Sequence, residues 1–385
     1  MESPFIYDKY VTGKNFIGRK VECAALGNLL AQNEHVVLIE PPKSGKMSLI
    51  QQTLLQMRMG GNSFLAGQFS ALNIRTVEEF VTRFGATVIR TSASTPAEYA
   101  ELAMKYLGGT HLVFDPERFA MNEQLLSFNW DYDENDLEAV LRMPFAMARD
   151  LGTRIILIID EFQNIDLIED SDRIFAKMEK VIKEERSIGP VPFSFIFSGS
   201  MVNAMRDIFR TRHRFHRMVE ILPLQPVNER EIADHVVKGF LSSGKVIDRD
   251  LLLGACRLFK DHLWYINHFV AICDSKSKGY IMEPVLVEAL QAILSVHEPR
   301  FVSMMNSLTT HQVNLLKAIL EGQTKFSSSE VVRQYKLNSS ANVKRVKDAL
   351  MKKEIVSFDD NDLPTILDPL FEYWVRRYYF EMKDV

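Results

Sequence analysis

Two short stretches of the sequence combine residue types and spacings suited to chemistry on phosphate groups. The first, HVVLIEPPKSGKMSLI at residues 35–50, joins an apolar run to a Pro-Lys-Ser-Gly-Lys turn and a helix-like segment. Such a loop surrounds phosphates with backbone N–H groups and the positive N-terminus of the following helix. Gly45 allows close backbone approach, and Lys46 can reach the β- and γ-phosphates. The residues expected to line the phosphates are Pro42, Lys43, Ser44, Gly45, Lys46, Met47 and Ser48.

Residues 40–48 within this stretch are called the phosphate loop below. The loop departs from the motif G-x-x-x-x-G-K-[ST] at both ends. Glu40 stands in place of the first glycine, and Met47 in place of the hydroxyl residue that binds Mg²⁺. Pro41 and Pro42 remove two N–H donors. Ser48 lies one residue further along the helix, about 100° away from the metal position, and is a poor substitute. The alternative is an ordinary strand–turn–helix that contains Gly-Lys by chance.

The second stretch is RIILIIDEFQN at residues 154–164, where five aliphatic residues end on two carboxylates. The pattern predicts a strand buried on both faces, with Asp160 and Glu161 directed to different sides. Asp160 would hold Mg²⁺ through water, and Glu161 would orient and deprotonate an attacking water. The alternative is a strand end with two solvated acids. We expect this strand and the strand before the phosphate loop to lie side by side in one sheet.

Two further sets of residues are candidates for contacts with the γ-phosphate. A third apolar strand, within residues 192–197, ends at Ser198, Gly199 and Ser200. Either hydroxyl suits a γ-phosphate sensor, and Ser198 is our first choice. In the basic segment at 206–217, Arg217 is our candidate for an arginine finger, acting in cis or from a neighbouring subunit. The alternatives are a polar strand end and a solvated loop.

Composition limits the class of protein. A chain of 385 residues and 44.2 kDa predicts two or three domains. A hydrophobic content of 46% with 25% charged residues is typical of soluble globular proteins, and no apolar run approaches the ~20 residues of a membrane span. The N-terminus lacks the pattern of a secretory signal. Three scattered cysteines fit neither a zinc site nor a disulfide framework. We therefore expect a cytoplasmic protein without a membrane partner.

The order of patterns predicts an α/β core followed by two smaller domains. Strand and helix signals alternate up to residue 224, and helical patterns without strands fill residues 225–300. Residues 91–135 are expected to be a less regular, elaborated region. Its acidic run at 131–136 is expected to form the solvated entry of a helix rather than a metal site. Residues 301–385 predict three helices and a hairpin, which is a winged helix-turn-helix.

Charge in the last domain is concentrated in one region. Residues 333–353 contain seven lysines and arginines against one acid, Asp348. Lys344, Arg345 and Lys347 are therefore candidate DNA contacts. The net charge of −4 gives no general indication of nucleic-acid binding, and winged helices also bind proteins.

In sequence the chain resembles the archaeal-type ATPases of the AAA+/STAND group of P-loop NTPases, which also occur in bacteria. The similar elements are VTGKNFIGRKVE, IIDEFQNI, FSGSMVNAM, KVIDRDLL and ILDPLFEYWVRRYY, and they extend nearly from end to end. The resemblance implies an ASCE/AAA+-like parallel sheet, an α-helical lid and a C-terminal winged helix. It also implies ATP and Mg²⁺ as cofactors, with Gly45 and Lys46 at the phosphates, Asp160 and Glu161 at metal and water, and Gly18 and Arg19 near the adenine.

The leading hypothesis is an ATP-binding switch protein whose hydrolysis is slow or lost, because Glu40 and Met47 depart from the family loop. ATP or ADP is then the expected ligand, and the winged helix is expected to contact a protein partner. The alternative is a DNA-binding regulator, or an adaptor for another protein, with a vestigial nucleotide site.

Overall fold

A computed structural model describes residues 3–115 and 125–383 of the chain. By packing, these residues form two compact units. The sheet unit comprises residues 20–42 and 49–224, and the helical unit comprises residues 3–19, 43–48 and 225–383. No helix in the described ranges has both the length and the apolar character needed to cross a membrane.

A five-stranded parallel sheet forms the centre of the sheet unit, and a two-stranded antiparallel hairpin accompanies it. The strands up to residue 224 are β1 (His35–Ile39), β2 (Phe64–Ser70), β3 (Leu112–Phe114), β4 (Leu126–Phe128), β5 (Arg154–Asp160), β6 (Phe193–Gly199) and β7 (Val219–Ile221). The order in the sheet is β2-β5-β6-β1-β7. The predicted side-by-side pairing of β1 and β5 was therefore wrong, because β6 lies between them and pairs with both. Strand order depends on crossover connections, which local pattern does not encode.

The helices up to residue 224 are α1 (Lys20–Ala31), α2 (Lys46–Met59), α3 (Val77–Arg90), α4 (Pro96–Leu107), α5 (Glu134–Leu151), α6 (Ser171–Ile188) and α7 (Val202–Arg206). Of these, α3 to α7 contribute buried side chains to the aliphatic and aromatic core of the sheet unit. Thr76 caps α3, since its side chain accepts the N–H of Glu79. Phe195 and Phe197 of the fully buried β6 stack on each other within the core. The hydrophobic strands thus fix the positions of their polar ends.

The region at 91–135, expected to be less regular, contains helix α4 and one short hairpin among its described residues, and residues 116–124 lie outside the described range. Helix α4 begins with a capping box, in which Thr95 and Glu98 each accept a backbone N–H of the other, and β3 and β4 form the hairpin. The acidic run lies at the entry of α5, as expected, but it is not solvated throughout, because Asp136 is buried. Asp133 is the N-cap, and Asp136 accepts the N–H groups of Asp133 (2.9 Å) and His111 (2.8 Å). The Thr-Pro-x-Glu signal before α4 was present in the sequence.

Four helices make up the part of the helical unit that precedes the winged helix: α8 (Glu229–Ser242), α9 (Arg249–Leu258), α10 (Leu263–Lys276) and α11 (Glu283–Asn306). The expected absence of strands from residues 225–300 was wrong, because β8 (Val246–Ile247) and β9 (Tyr280–Ile281) form a short parallel pair. Two residues are too few to show a period-two pattern. Helix α11 continues unbroken through residues 300 and 301, and the predicted division into 1–224, 225–300 and 301–385 stays a prediction.

The predicted three helices and hairpin are confirmed at the C-terminal end of the helical unit. The elements are α12 (Thr310–Leu320), α13 (Ser329–Gln334), α14 (Ser340–Lys352), β10 (Val356–Phe358) and β11 (Pro364–Ile366), followed by α15 (Pro369–Trp374). The two strands are antiparallel and form the wing. Helix α14 is capped by Ser339, whose side chain accepts the N–H of Asn342.

Candidate nucleotide-binding site

The carboxyl ends of three neighbouring strands lie level at one edge of the sheet. Ile39 of β1 pairs with Gly199 of β6, and Ile159 of β5 pairs with Phe197. Asp160 follows Ile159 directly, and its backbone carbonyl accepts the N–H of Ala71 (2.9 Å). With neighbouring strands about 4.8 Å apart, β1 and β5 are separated by about 10 Å. The carboxyl end of β1 therefore lies at the same edge of the sheet as the carboxyl end of β5, where Asp160 ends the strand and Glu161 follows it.

The backbone of the phosphate loop has the turns needed to enter α2. Lys43 has a φ of 62° and Gly45 a φ of 90°, and α2 begins at Lys46. Lys46 is buried, with 7% of its surface exposed. A Cβ at Gly45 would lie 3.3 Å from the Arg19 guanidinium, so this arginine lies against the glycine. A glycine, two cations and a helix N-terminus are the groups that bind a phosphate chain.

The hydroxyl next to the metal-ligand position has another partner. Ser48 Oγ accepts the backbone N–H of Val11 (3.1 Å), in the segment before α1. Met47, which replaces the usual Ser/Thr, has no oxygen to offer Mg²⁺. The loop thus fits a phosphate chain better than it fits a metal ion.

Glu40 is tied to the chain that follows β7. Its Oε1 accepts the backbone N–H of Leu224 (3.3 Å), and its own N–H lies 3.5 Å from the carbonyl of Gly199. The residue that replaces the first glycine of the motif therefore has a structural role at the sheet edge.

The predicted contacts in the middle of the loop have different environments. The Lys43 ammonium lies 3.3 Å from the centroid of the Trp264 ring in α10. Ser44 Oγ is buried and has no hydrogen-bond partner in the described part of the chain. The pKa of Lys43 is lowered mainly by burial and then by Arg300, while Asp368 opposes the shift.

Gly18 and Arg19 form a close-packed turn before α1. Both have a positive φ, 63° and 53°. A Cβ at Gly18 would lie 2.8 Å from Val227 Cγ1 and 3.0 Å from Glu231 Oε2, so packing on α8 and the residue before its cap requires glycine here. This turn places the Arg19 guanidinium beside Gly45; the predicted adenine contact stays a prediction.

At the end of β5, Glu161 is outside the strand in a left-handed conformation with a φ of 53°. Its Oε2 accepts hydrogen bonds from Gln163 Nε2 (2.6 Å) and Ser200 Oγ (2.7 Å). The direction of this carboxylate is therefore set by two polar side chains and not by strand alternation alone. Gln163 belongs to the DEFQ segment and Ser200 to the SGS segment. From the sequence, only Ser200 was considered as a functional residue.

The structure distinguishes the two candidate serines after the third predicted strand. Ser198 lies within β6, is 1% exposed, and its Oγ finds no hydrogen-bond partner among the described side chains and backbone groups. Ser200 follows the strand and contacts Glu161. The γ-phosphate role of Ser198 stays a prediction, and Ser200 is the serine that contacts a predicted catalytic group.

Two arginines of the basic segment at 206–217 form ion pairs within the sheet unit. Arg212 pairs with Asp166 (2.8 Å), and Arg214 pairs with Glu179 (3.2 Å). Arg217 is exposed, and its backbone carbonyl accepts a hydrogen bond from the Arg186 guanidinium (3.3 Å). Arg217 is thus placed where a second molecule can reach it, as a finger acting in trans requires.

The three candidate DNA contacts on α14 differ in accessibility. Lys344 and Arg345 are exposed, although Arg345 also donates to Asn342 Oδ1 (2.9 Å). The Lys347 side chain is 13% exposed, pairs with Asp362 of the wing and lies over the rings of Phe326 and Phe358. Lys347 therefore joins helix to wing, and the other two remain candidates for a ligand.

Comparison with known proteins agrees with this architecture. A family model described as a probable winged helix domain matches residues 299–377. The structure is similar to the Walker-type ATPase of Pyrococcus abyssi, with 15% identity, 97% of this chain and 99% of that chain covered, and a TM-score of 0.66. The ORC2 protein of Aeropyrum pernix, solved as ADPNP and ADP complexes, gives 13% identity, 96% and 97% coverage and a TM-score of 0.56. No curated protein matches the chain.

These comparisons concern the fold, since identity is low. The chain has the fold of a P-loop ATPase: a parallel sheet core with helices, a helical region and a C-terminal winged helix.

Proposed function

We propose that this protein binds MgATP at the phosphate loop and acts as a nucleotide-dependent switch of the AAA+/STAND group, with slow hydrolysis. The observation that carries the proposal is the order of elements along the chain from β1 to α2. A buried strand ends level with Asp160, a glycine with a φ of 90° follows, and the buried Lys46 opens a helix. The fold shared with Walker-type ATPases supports it.

Each named residue has one task in this proposal. Lys46 and the N-terminal N–H groups of α2 bind the phosphate oxygens, and Arg19 beside Gly45 supplies a second positive charge. Asp160 would hold Mg²⁺, which neutralises the charge of the phosphates. Glu161 orients the attacking water and takes its proton, while Ser200 and Gln163 fix the direction of its carboxylate.

We expect slow hydrolysis because of the residues in the phosphate loop and not because of those at the end of β5. Met47 provides no oxygen ligand, and the Ser48 hydroxyl is engaged with Val11. Mg²⁺ prefers a nearly complete octahedral set of oxygens, so a missing ligand loosens the metal and the phosphates that it orients. Binding depends more on Lys46 and the helix N-terminus, which are retained.

Calorimetric titration with MgATP of wild type, Lys46→Ala and a control, Lys183→Ala, tests the proposal. Lys183 is an exposed lysine on α6. We expect Lys46→Ala to weaken binding at least about 30-fold, as loss of a charge-assisted contact implies, and the control to bind like wild type. Equal affinity in all three proteins would show that the site is elsewhere, and no binding to wild type would reject the proposal.

The second candidate function, DNA binding by the winged helix, has a specific observation in its favour. Lys344 and Arg345 are exposed on α14, the helix that such domains place in the major groove. We expect fluorescence anisotropy with duplex DNA to show a salt dependence whose slope falls by about two when both residues are changed to alanine. Lys347→Ala is the control, because Lys347 faces the wing. If no salt-dependent binding is found, the winged helix is better interpreted as a protein-binding module.

A further inference from the structure

Lys43 has a backbone conformation that is unfavourable for its residue type. Its φ of 62° lies in the left-handed region, where a side chain Cβ crowds the following carbonyl group. Glycine adopts this conformation without cost. Lys43 lies two residues before Gly45, within the turn that delivers the chain to α2. The loop therefore needs a contact that holds Lys43 in place.

The side chain of Lys43 provides such a contact. Its ammonium lies 3.3 Å from the centroid of the Trp264 ring, well within the range of a cation–π interaction. Lys43 as a residue is exposed, but its ammonium is partly covered by the indole, and burial lowers the pKa of Lys43. Partial desolvation strengthens an interaction of this kind.

Trp264 is itself held firmly. Its Nε1 donates to the carbonyl of Tyr7 (2.6 Å), and its ring meets the Tyr7 ring edge to face. The next residue of α10, Tyr265, donates its hydroxyl hydrogen to Asp368, the N-cap of α15 (2.9 Å). The indole is thus a fixed surface on which a mobile lysine can be positioned.

We propose that Trp264 is a positioning residue for the phosphate loop: its ring face holds the Lys43 side chain and thereby keeps the loop backbone in the conformation that binds phosphate. This inference rests on the proposed function, because it concerns the same site. Trp264 acts through Lys43 and needs no contact with the nucleotide. An aromatic residue of the helical unit then performs the task that a glycine at position 43 would perform by its own conformational freedom.

The proposal predicts rescue, which a general loss of stability would not show. We expect Trp264→Leu to weaken MgATP binding about three- to tenfold, the range of a partly desolvated cation–π contact. Trp264→Phe should stay within about twofold of wild type, because it loses the hydrogen bond to Tyr7 but keeps a ring face. Adding Trp264→Leu to Lys43→Gly should change affinity less than about twofold, because glycine needs no support.

Calorimetric titration of these variants with MgATP is the test, with Trp130→Leu as the matched control. Trp130 is 73% exposed and belongs to the sheet unit. Circular dichroism and thermal unfolding confirm that each variant is folded. The positioning role is rejected, while the nucleotide site stands, in either of two cases. In the first, Trp264→Leu weakens MgATP binding by the same factor in the wild-type background and in the Lys43→Gly background. In the second, Trp264→Leu does not weaken MgATP binding at all. If wild type fails to bind MgATP, the proposed function fails first, and this inference fails with it.

Discussion

The phosphate loop and the end of β5 each have a task in the proposed function, and they depart from their motifs to different degrees. The strand end keeps both carboxylates, and Glu161 is oriented by Gln163 and Ser200. The loop lacks two motif residues, and the side chains there have structural partners: Glu40 bonds to the Leu224 N–H and Ser48 to the Val11 N–H. Under the proposed function, this difference predicts that the loop, and not the strand end, limits turnover.

Removing Glu161, the proposed general base at the end of β5, should have the largest effect on hydrolysis. We expect Glu161→Gln to lower single-turnover hydrolysis about 100-fold with MgATP affinity changed less than about threefold, because a general base acts in the transition state. The measurement is phosphate release with protein in excess. The matched control is Glu169→Gln, which changes a carboxylate beyond the segment at 162–167. Equal turnover in wild type and Glu161→Gln would remove Glu161 from the mechanism.

The strand that leads into the loop carries a pH dependence of its own. The buried His35 ring accepts the Phe195 N–H at Nδ1 (3.0 Å), and burial, followed by the charge of Arg186, lowers its pKa to about 3. The unfolded chain takes up a proton near pH 6.5 and the folded chain does not, so stability falls as pH decreases below about 6.5. By about pH 5, protonation of His35 in the unfolded chain is expected to lower the free energy of unfolding by about 2 kcal/mol.

Urea unfolding at about pH 7.5 and about pH 5 measures this loss. His35→Gln is the control, because an amide oxygen can accept the same N–H without titrating. The difference between the two pH values should be smaller in His35→Gln by about 2 kcal/mol. An identical pH dependence in both proteins would show that His35 is not the group responsible.

Restoring the missing hydroxyl should reduce the functional difference between the phosphate loop and the end of β5. Met47→Thr places an oxygen ligand at the motif position, and we expect turnover to rise about tenfold as the metal is held more firmly. Met59→Thr, the same change at an exposed position on α2, is the control. Steady-state phosphate release is the measurement. Rapid turnover by the unaltered protein would show instead that Met47 does not impair the loop.

Restoring the first glycine should not help in the same way. Glu40→Gly removes the acceptor for the Leu224 N–H, and we expect a loss of about 1 kcal/mol in unfolding free energy. Glu40→Gln keeps an acceptor and should change stability by less than about 0.5 kcal/mol. Thermal unfolding monitored by circular dichroism compares the two. If Glu40→Gly is as stable as wild type, Glu40 has no structural role at the sheet edge.

The elements of this fold could be predicted where hydrophobic pattern and capping residues agree. The aliphatic run of β5, the Thr76 cap and the wing around residues 359–362 all carry strong local signals. The order of strands and the pair β8 and β9 could not be predicted, since both depend on contacts distant in sequence. Helix α4 was missed although its capping box was present in the sequence.

The same distinction applies to the candidate site. Glycine, lysine and paired carboxylates were recognisable because their chemistry follows from residue type and spacing. The partners that orient them were not, because Ser200 and Glu161 are 39 residues apart and Trp264 lies far along the chain from Lys43. Lys347 illustrates the reverse case: its charge suggested a ligand contact, but in the structure it is bound by the wing.

The proposed function depends most directly on whether the phosphate loop retains a nucleotide despite Glu40 and Met47. The decisive measurement is the nucleotide released on denaturation after wild type and Lys46→Ala have been incubated with MgATP and rapidly desalted. We predict near-stoichiometric ATP or ADP from wild type and little from Lys46→Ala. Equal amounts from both proteins, or none from wild type, would contradict the account.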